Sequence, residues 1–249
     1  MRFVPALFVV ALCVGAARAA TLNLILGTPA PAGTVVLSGS ALPSPYQGGV
    51  NAYDGVLNWT DVNDSTVHYS TYCIDVASVI SVNNPYQFNL VDLASSGLFD
   101  SKVINAVENL WAQHPVEGNV GLTLGPGIFA NNAATFQTAL WDIIENHYDL
   151  NGNPTAPTLQ FSSPGNGFTN ADLTNSMAWS AAAYAAGTYT GPDTFAALAA
   201  TDGGQNQALF MVNIQPGITP VPTPSSWAGG AVLLAGLMCV RHGFGRRMN

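Results

Sequence analysis

The spacing of apolar residues changes once along this chain, near residue 100, and that change restricts the available folds more than any other feature. Before it, Leu22, Leu24 and Leu26 alternate, Thr34–Ser38 is β-prone, and residues 67–82 are rich in Val, Ile, Tyr and Thr. Alternation at period two marks strands with one buried face. Pro43, Pro45, Gly48 and Gly49 form a long turn, and Asn83-Asn84-Pro85 ends the Cys-containing segment of a β-prone half that runs to about Leu90. Beyond residue 100, Val103, Val107 and Leu110 share one side of a helix predicted over Ser101–Trp111, with Asp100 as its N-cap and Pro115 just past its end. A second helix is predicted over Ala133–Tyr148, stopped by Asn151-Gly152-Asn153-Pro154, and a third over Asn170–Ala186, ended by Gly187. Gln207–Ile214 reads as a closing strand. Strands, then helices, then a strand predict an α+β fold: a β-sandwich or barrel with inserted helices.

Charge narrows the function classes. Between residues 21 and 226, Lys102 is the sole Lys or Arg, facing 14 Asp plus Glu. No basic patch is available for a phosphate backbone, so nucleic acid is excluded as a partner. No GxxxxGK, HExxH or C-x-x-C pattern occurs, and no residue cluster calls for a cofactor or a metal. Asp61, Asn63 and Asp64 lack the spacing of a calcium loop and read as a turn.

The two ends read as an address. Residues 1–20 put Arg2 before an apolar run and finish in Ala17-Arg18-Ala19, the pattern of a signal peptide, which makes residues 21–216 the exported domain. Residues 217–226 form a Pro-rich linker. Residues 227–249 carry an apolar run from Trp227 to Val240 followed by Arg241, Arg246 and Arg247, and are expected to form a C-terminal transmembrane helix with a basic tail. Val221-Pro222-Thr223-Pro224-Ser225, the apolar run and the arginines together resemble the PEP-CTERM sorting signal, with Thr223 where that family carries Glu. The resemblance implies an exosortase-like processing enzyme as partner, a membrane-anchored precursor, and delivery to the cell surface or extracellular matrix.

With the ends set aside, Cys73 is the lone cysteine, so an intrachain disulfide is excluded. A strand at Tyr69–Val76 puts Cys73 on one face with Thr71 and Asp75, opposite Tyr72 and Ile74. Gln137 is its counterpart: helical spacing sets this polar amide beside Leu140, Trp141 and Ile144, where burial is costly unless oxygen and nitrogen both find partners. Two readings follow from the residues themselves, an inert buried pair and a reactive one.

Tyr72-Cys73-Ile74-Asp75 and Phe136-Gln137-Thr138-Ala139-Leu140-Trp141 resemble the paired signatures of bacterial thioester domains. That resemblance implies an internal thioester between the Cys73 sulfur and the Gln137 side-chain carbonyl. It would be spent once, in covalent attachment to an amine or hydroxyl of a surface protein or polysaccharide, so the chain would not be a turnover enzyme. The alternative is a non-reactive structural or carbohydrate-binding surface domain, with Trp59, Trp111, Trp141 and Trp179 as either a sugar platform or core. Asp142 and Glu145 are expected on a solvated helix surface rather than in a hydrolase site. His68, His114 and His147 are proton-transfer groups by residue type alone.

Overall fold

The computed structural model describes residues 21–27, 33–94, 96–115, 121–123, 132–146, 157–163, 165, 167–191, 195–202 and 204–210. Ten strands and three α-helices occur among them: β1 (Thr21–Leu26), β2 (Thr34–Ser38), β3 (Val50–Tyr53), β4 (Leu57–Asp61), β5 (His68–Cys73), β6 (Pro85–Asp92), α1 (Ser101–Gln113), β7 (Gly121–Thr123), α2 (Ala133–Glu145), β8 (Gln160–Ser162), α3 (Asn170–Ala185), β9 (Phe195–Ala200) and β10 (Gln207–Phe210). Seven strands form one antiparallel sheet in the order β10-β9-β6-β1-β4-β5-β7, and β3-β2-β8 form a second, small sheet.

The large sheet curls until β10 meets β5, making a half-barrel that is almost closed. The seam is short, Gln207 opposite Cys73 and Ala208 opposite Tyr72, because β7 pairs with the first half of the same β5 edge at His68, Tyr69 and Ser70. The mixed α+β class stands, but the expected sandwich or barrel with inserted helices is corrected to this curled, almost-closed sheet with a small satellite sheet.

Two apolar clusters flank the curled sheet. Tyr72 and Ile74 of β5 pack with Val103, Val107 and Leu110 of α1 and with Phe136, Leu140 and Ile143 of α2. On the opposite face Leu22, Leu24 and Leu26 of β1, Trp59 of β4 and Phe88 of β6 meet Val35 and Leu37 of the small sheet. Trp59 sits edge-on to Phe88 at 5.1 Å between ring centroids, and its indole N–H donates to Thr71 Oγ1 at 2.9 Å. β5 is therefore covered on both faces, and a strand so placed has no solvent side for a polar residue to reach.

The helices follow local chemistry. Asp100 accepts hydrogen bonds from the Lys102 and Val103 backbone N–H groups, satisfying two of the donors a helix start leaves open. Thr169 and Asp172 form a reciprocal capping box at the start of α3, whose last turn is followed by Gly187 at φ 73°. α2 stops at Glu145, short of the predicted Tyr148, because the Asn146 side chain turns away to bond Asp142 Oδ1 at 2.7 Å and Leu159 O at 2.9 Å.

The expected C-terminal transmembrane helix is also corrected. No helix among the described residues is long and apolar enough to cross a membrane. α1, α2 and α3 have 13, 13 and 16 residues, against the roughly 20 apolar residues that a span requires. Residues 1–20, 217–226 and 227–249, which carry the expected signal peptide, linker, sorting motif Val221–Ser225 and anchor, lie outside the described residues. The membrane-anchored, exported precursor expected from the ends thus has no counterpart in the described fold, and the secreted, cell-surface location is set aside with it.

One buried carboxyl joins the small sheet's edge to α2. Asp54, directly after β3, is fully buried; its Oδ2 accepts from Thr138 Oγ1 at 2.8 Å, while Oδ1 has no hydrogen-bond partner. Burial pushes this carboxyl well above its ordinary value, the Thr138 bond opposes the shift, and the Asp172 charge adds to it. The folded protein therefore holds this proton to higher pH than the unfolded chain. Its contribution to stability is lost as pH rises from the ordinary carboxylate range through the raised value. Asp54→Asn keeps the Thr138 bond without a titrating proton. It is expected to raise the thermal midpoint relative to wild type at pH 8, with the gain shrinking toward pH 4. Parallel melts of the two proteins across that range check the sign.

Candidate functional site

β5 ends at Cys73 because its neighbour on one side has not yet begun. β4 starts at Leu57, opposite Thr71, so no β4 residue stands opposite Cys73. On the other side the chain bonds β10's approach through Ile74 N–H to Asn206 O at 3.0 Å. The Cys73 N–H and C=O consequently face the space where β4 would have continued, and Gln137 of α2 fills it. Gln137 Oε1 accepts from Cys73 N–H at 2.9 Å, and Gln137 Nε2 donates to Cys73 O at 2.9 Å. The primary amide acts as one more peptide rung, satisfying two backbone groups that burial would otherwise leave bare. Gln137 is itself fully buried.

The sulfur points elsewhere, into the apolar cluster containing Trp59, Leu37 and Trp141. Cys73 Sγ contacts Asp75 O at 3.2 Å and Gln205 Oε1 at 3.5 Å, and Asp75 N–H approaches it at 3.4 Å. Burial pushes the thiol up to about 12; the Asp75 backbone and the Trp141 indole N–H pull it down, while the Asp75 and Glu145 charges add to the rise. The Trp141 N–H lies near the sulfur without closing a hydrogen bond and has no other partner. Burial thus favours the protonated thiol, whereas the thiolate is the nucleophile.

Asp75 shapes the turn beyond. Its Oδ1 accepts from Ala77 N–H at 3.0 Å and Ser78 N–H at 3.2 Å, and its Oδ2 accepts from Ser78 Oγ at 2.9 Å. Gln205 Nε2 donates to Ser78 O, tying that turn to the start of β10. Thr71 Oγ1 donates to Gln207 Oε1 at 3.0 Å, which pins the seam between β5 and β10 from inside.

The residues singled out from sequence sort clearly. Cys73 and Gln137, 64 positions apart, are brought together, through backbone and amide. Asp142 is not on a solvated surface: it is buried, bonded by Ser180 and Asn146, and burial raises its carboxyl against those two bonds. Trp59, Trp111 and Trp141 are buried core residues, and Trp179 stacks against His114 at 3.7 Å. His68 is paired with Thr60 at 3.1 Å, and His147 lies outside the described residues. Asp61 and Asp64 accept from Asn63 N–H at 2.7 Å and Thr66 N–H at 3.0 Å as turn residues do, and no group of metal-binding side chains occurs among the described residues.

Sequence reasoning missed Asp54, Thr71, Gln205 and Gln207. The two glutamines had a usable signal, since period two sets Gln205 and Gln207 on one face where the chain enters the Gln207–Phe210 strand. Asp54 had none, because its burial depends on a helix more than eighty residues away. Comparison with known proteins brought no match: no family model, no curated protein and no solved structure corresponds to this chain.

Proposed function

We propose that the described domain is a non-reactive structural domain in which Gln137 fastens α2 to the open end of β5, rather than a device for covalent attachment. The observation that carries this reading is the double use of the Gln137 amide: its oxygen and its nitrogen are both engaged by the Cys73 backbone, 2.9 Å each way. An amide in that role is stabilised by resonance and by two hydrogen bonds, and the neighbouring thiol is held protonated by burial. The sugar-binding form of this reading finds little support, since Trp59, Trp111 and Trp141 fill the core and Trp179 is stacked on His114.

A thioester is the second reading, favoured by the same proximity of Cys73 and Gln137. Its formation requires the amide to leave both backbone bonds and the sulfur to turn toward Cδ. The Sγ–Cδ bond then forms, the Cδ–Nε2 bond breaks, and ammonia departs with the thiol proton. Alkylation separates the two readings. In a non-reactive domain Cys73 reacts slowly with iodoacetamide when folded and completely once unfolded in urea, with no amine added. Resistance to alkylation in urea that only methylamine relieves would favour the thioester.

A further inference from the structure

Beneath the small sheet, against the sulfur-bearing face of β5, lies a cavity of about 320 Å³. Leu26, Leu37, Leu57, Val76 and Ile80 form much of its wall, and Cys73 and Trp141 line it together. None of its lining residues is Lys, Arg, His, Asp or Glu. Four large apolar side chains are exposed among the described residues, and three of them, Tyr46, Val79 and Val82, belong to this cavity. Val79 is 66% exposed. Exposed apolar side chains gathered at the entrance of an apolar cavity, rather than scattered, are the pattern of a site that takes an apolar partner.

Among the buried polar side-chain atoms of the wall, one is unpaired. Trp141 is buried, and its indole N–H has no hydrogen-bond partner. A buried donor left unpaired costs on the order of 1–3 kcal/mol, a penalty that an incoming acceptor relieves. An anion finds no cation here to pair with, and the acidic surroundings at Asp75 and Glu145 oppose it.

From this geometry we infer that the cavity binds a neutral, mostly apolar small molecule bearing one strong hydrogen-bond acceptor, with the Trp141 N–H as donor and the Cys73 thiol turning aside to admit it. The volume lies at the lower end of small-molecule sites, which sets the occupant at the size of a bicyclic ring system or a medium-length chain. The inference stands apart from the Cys73–Gln137 reading, because Gln137 contacts the Cys73 backbone and the cavity meets the opposite, side-chain part of that residue.

The test uses the full chain and the neutral fluorophore 6-propionyl-2-dimethylaminonaphthalene, whose ketone is the acceptor, alongside the same ring system with propyl in place of propionyl. The ketone probe is expected to bind saturably, one per chain, with blue-shifted emission. Val79→Arg, at a position 66% exposed, should weaken both probes about tenfold by placing a charge at the entrance. Trp141→Phe keeps an aromatic wall and should weaken the ketone probe about five- to tenfold while leaving the propyl probe nearly unchanged. Circular dichroism confirms that each variant is folded. Absence of saturable binding, or binding indifferent to Val79→Arg, overturns the site. Equal effects of Trp141→Phe on the two probes, or none on either, overturn the role of the indole donor. Should Trp141→Phe fail to fold, the wild-type chain itself decides the donor's role: the ketone probe is expected to bind about five- to tenfold more tightly than the propyl probe, and equal affinities overturn it.

Discussion

Gln137→Ala is expected to destabilise the fold by about 3–5 kcal/mol, far beyond the roughly 0.5 kcal/mol of an ordinary surface substitution. The variant strips the Cys73 N–H and C=O of their partners in a fully buried setting. Each orphaned group costs about 1–3 kcal/mol, and the void left by the side chain adds to it. Gln137→Met fills most of that void and restores no hydrogen bond, so it should recover only a minor part of the loss. Gln137→Glu is more informative. As a carboxylate it can accept from Cys73 N–H but has nothing to donate to Cys73 O, and as a neutral acid it can do both. The glutamate variant should therefore fall furthest behind wild type at pH 8 and approach it as pH drops toward 4. This follows the sign for a buried carboxyl whose folded value is raised, with stability lost as pH climbs through that value. Urea unfolding of the four proteins at both pH values reads the series. A cost near that of a surface change for Gln137→Ala would mean that the two rungs carry no load.

Phe136→Ala should be comparably damaging, about 3–5 kcal/mol, for a different reason. Phe136 is fully buried and lies against Tyr72 of β5 with ring centroids 4.7 Å apart and against Trp111 of α1 at 6.3 Å in an edge-on arrangement. It is the point where α1, α2 and the curled sheet meet, so its removal opens a cavity bounded by three rigid elements that cannot all collapse into it. Phe136→Leu keeps most of the volume and should cost about 1–2 kcal/mol. Equilibrium unfolding in denaturant measures both. Adjacent residues on α2 thus hold it to β5 in two ways, Phe136 by packing on the helix-facing side and Gln137 by hydrogen bonds in the plane of the strand.

The parts of the fold legible in the sequence were those decided within a few residues. Asp100 before an apolar helical stripe is a complete local instruction, and the helix begins at Ser101 as read. Leu22, Leu24 and Leu26 alternate and are buried together. The position of Cys73 shows where local reading stops. Period two separates Cys73 from Tyr72 and Ile74, yet nothing local shows that the small sheet, α2 and the turn after Cys73 cover its face as well. The short seam between β5 and β10 was equally invisible, since it depends on where β7 pairs. Gln137 was identified as an amide in need of partners. That the partners are the backbone of Cys73 follows from β4 starting two residues too late to supply them, a matter of register between distant strands.

The central claim, that Gln137 is a structural rung and remains an amide, is tested most directly by the intact mass of the freshly isolated, folded chain, with peptide mapping across Cys73 and Gln137. The account predicts the mass of the unmodified polypeptide, Gln137 recovered as glutamine, and no adduct at that residue after methylamine treatment. A mass lower by one ammonia, converted by methylamine into a Gln137 adduct with release of a free Cys73 thiol, would contradict it.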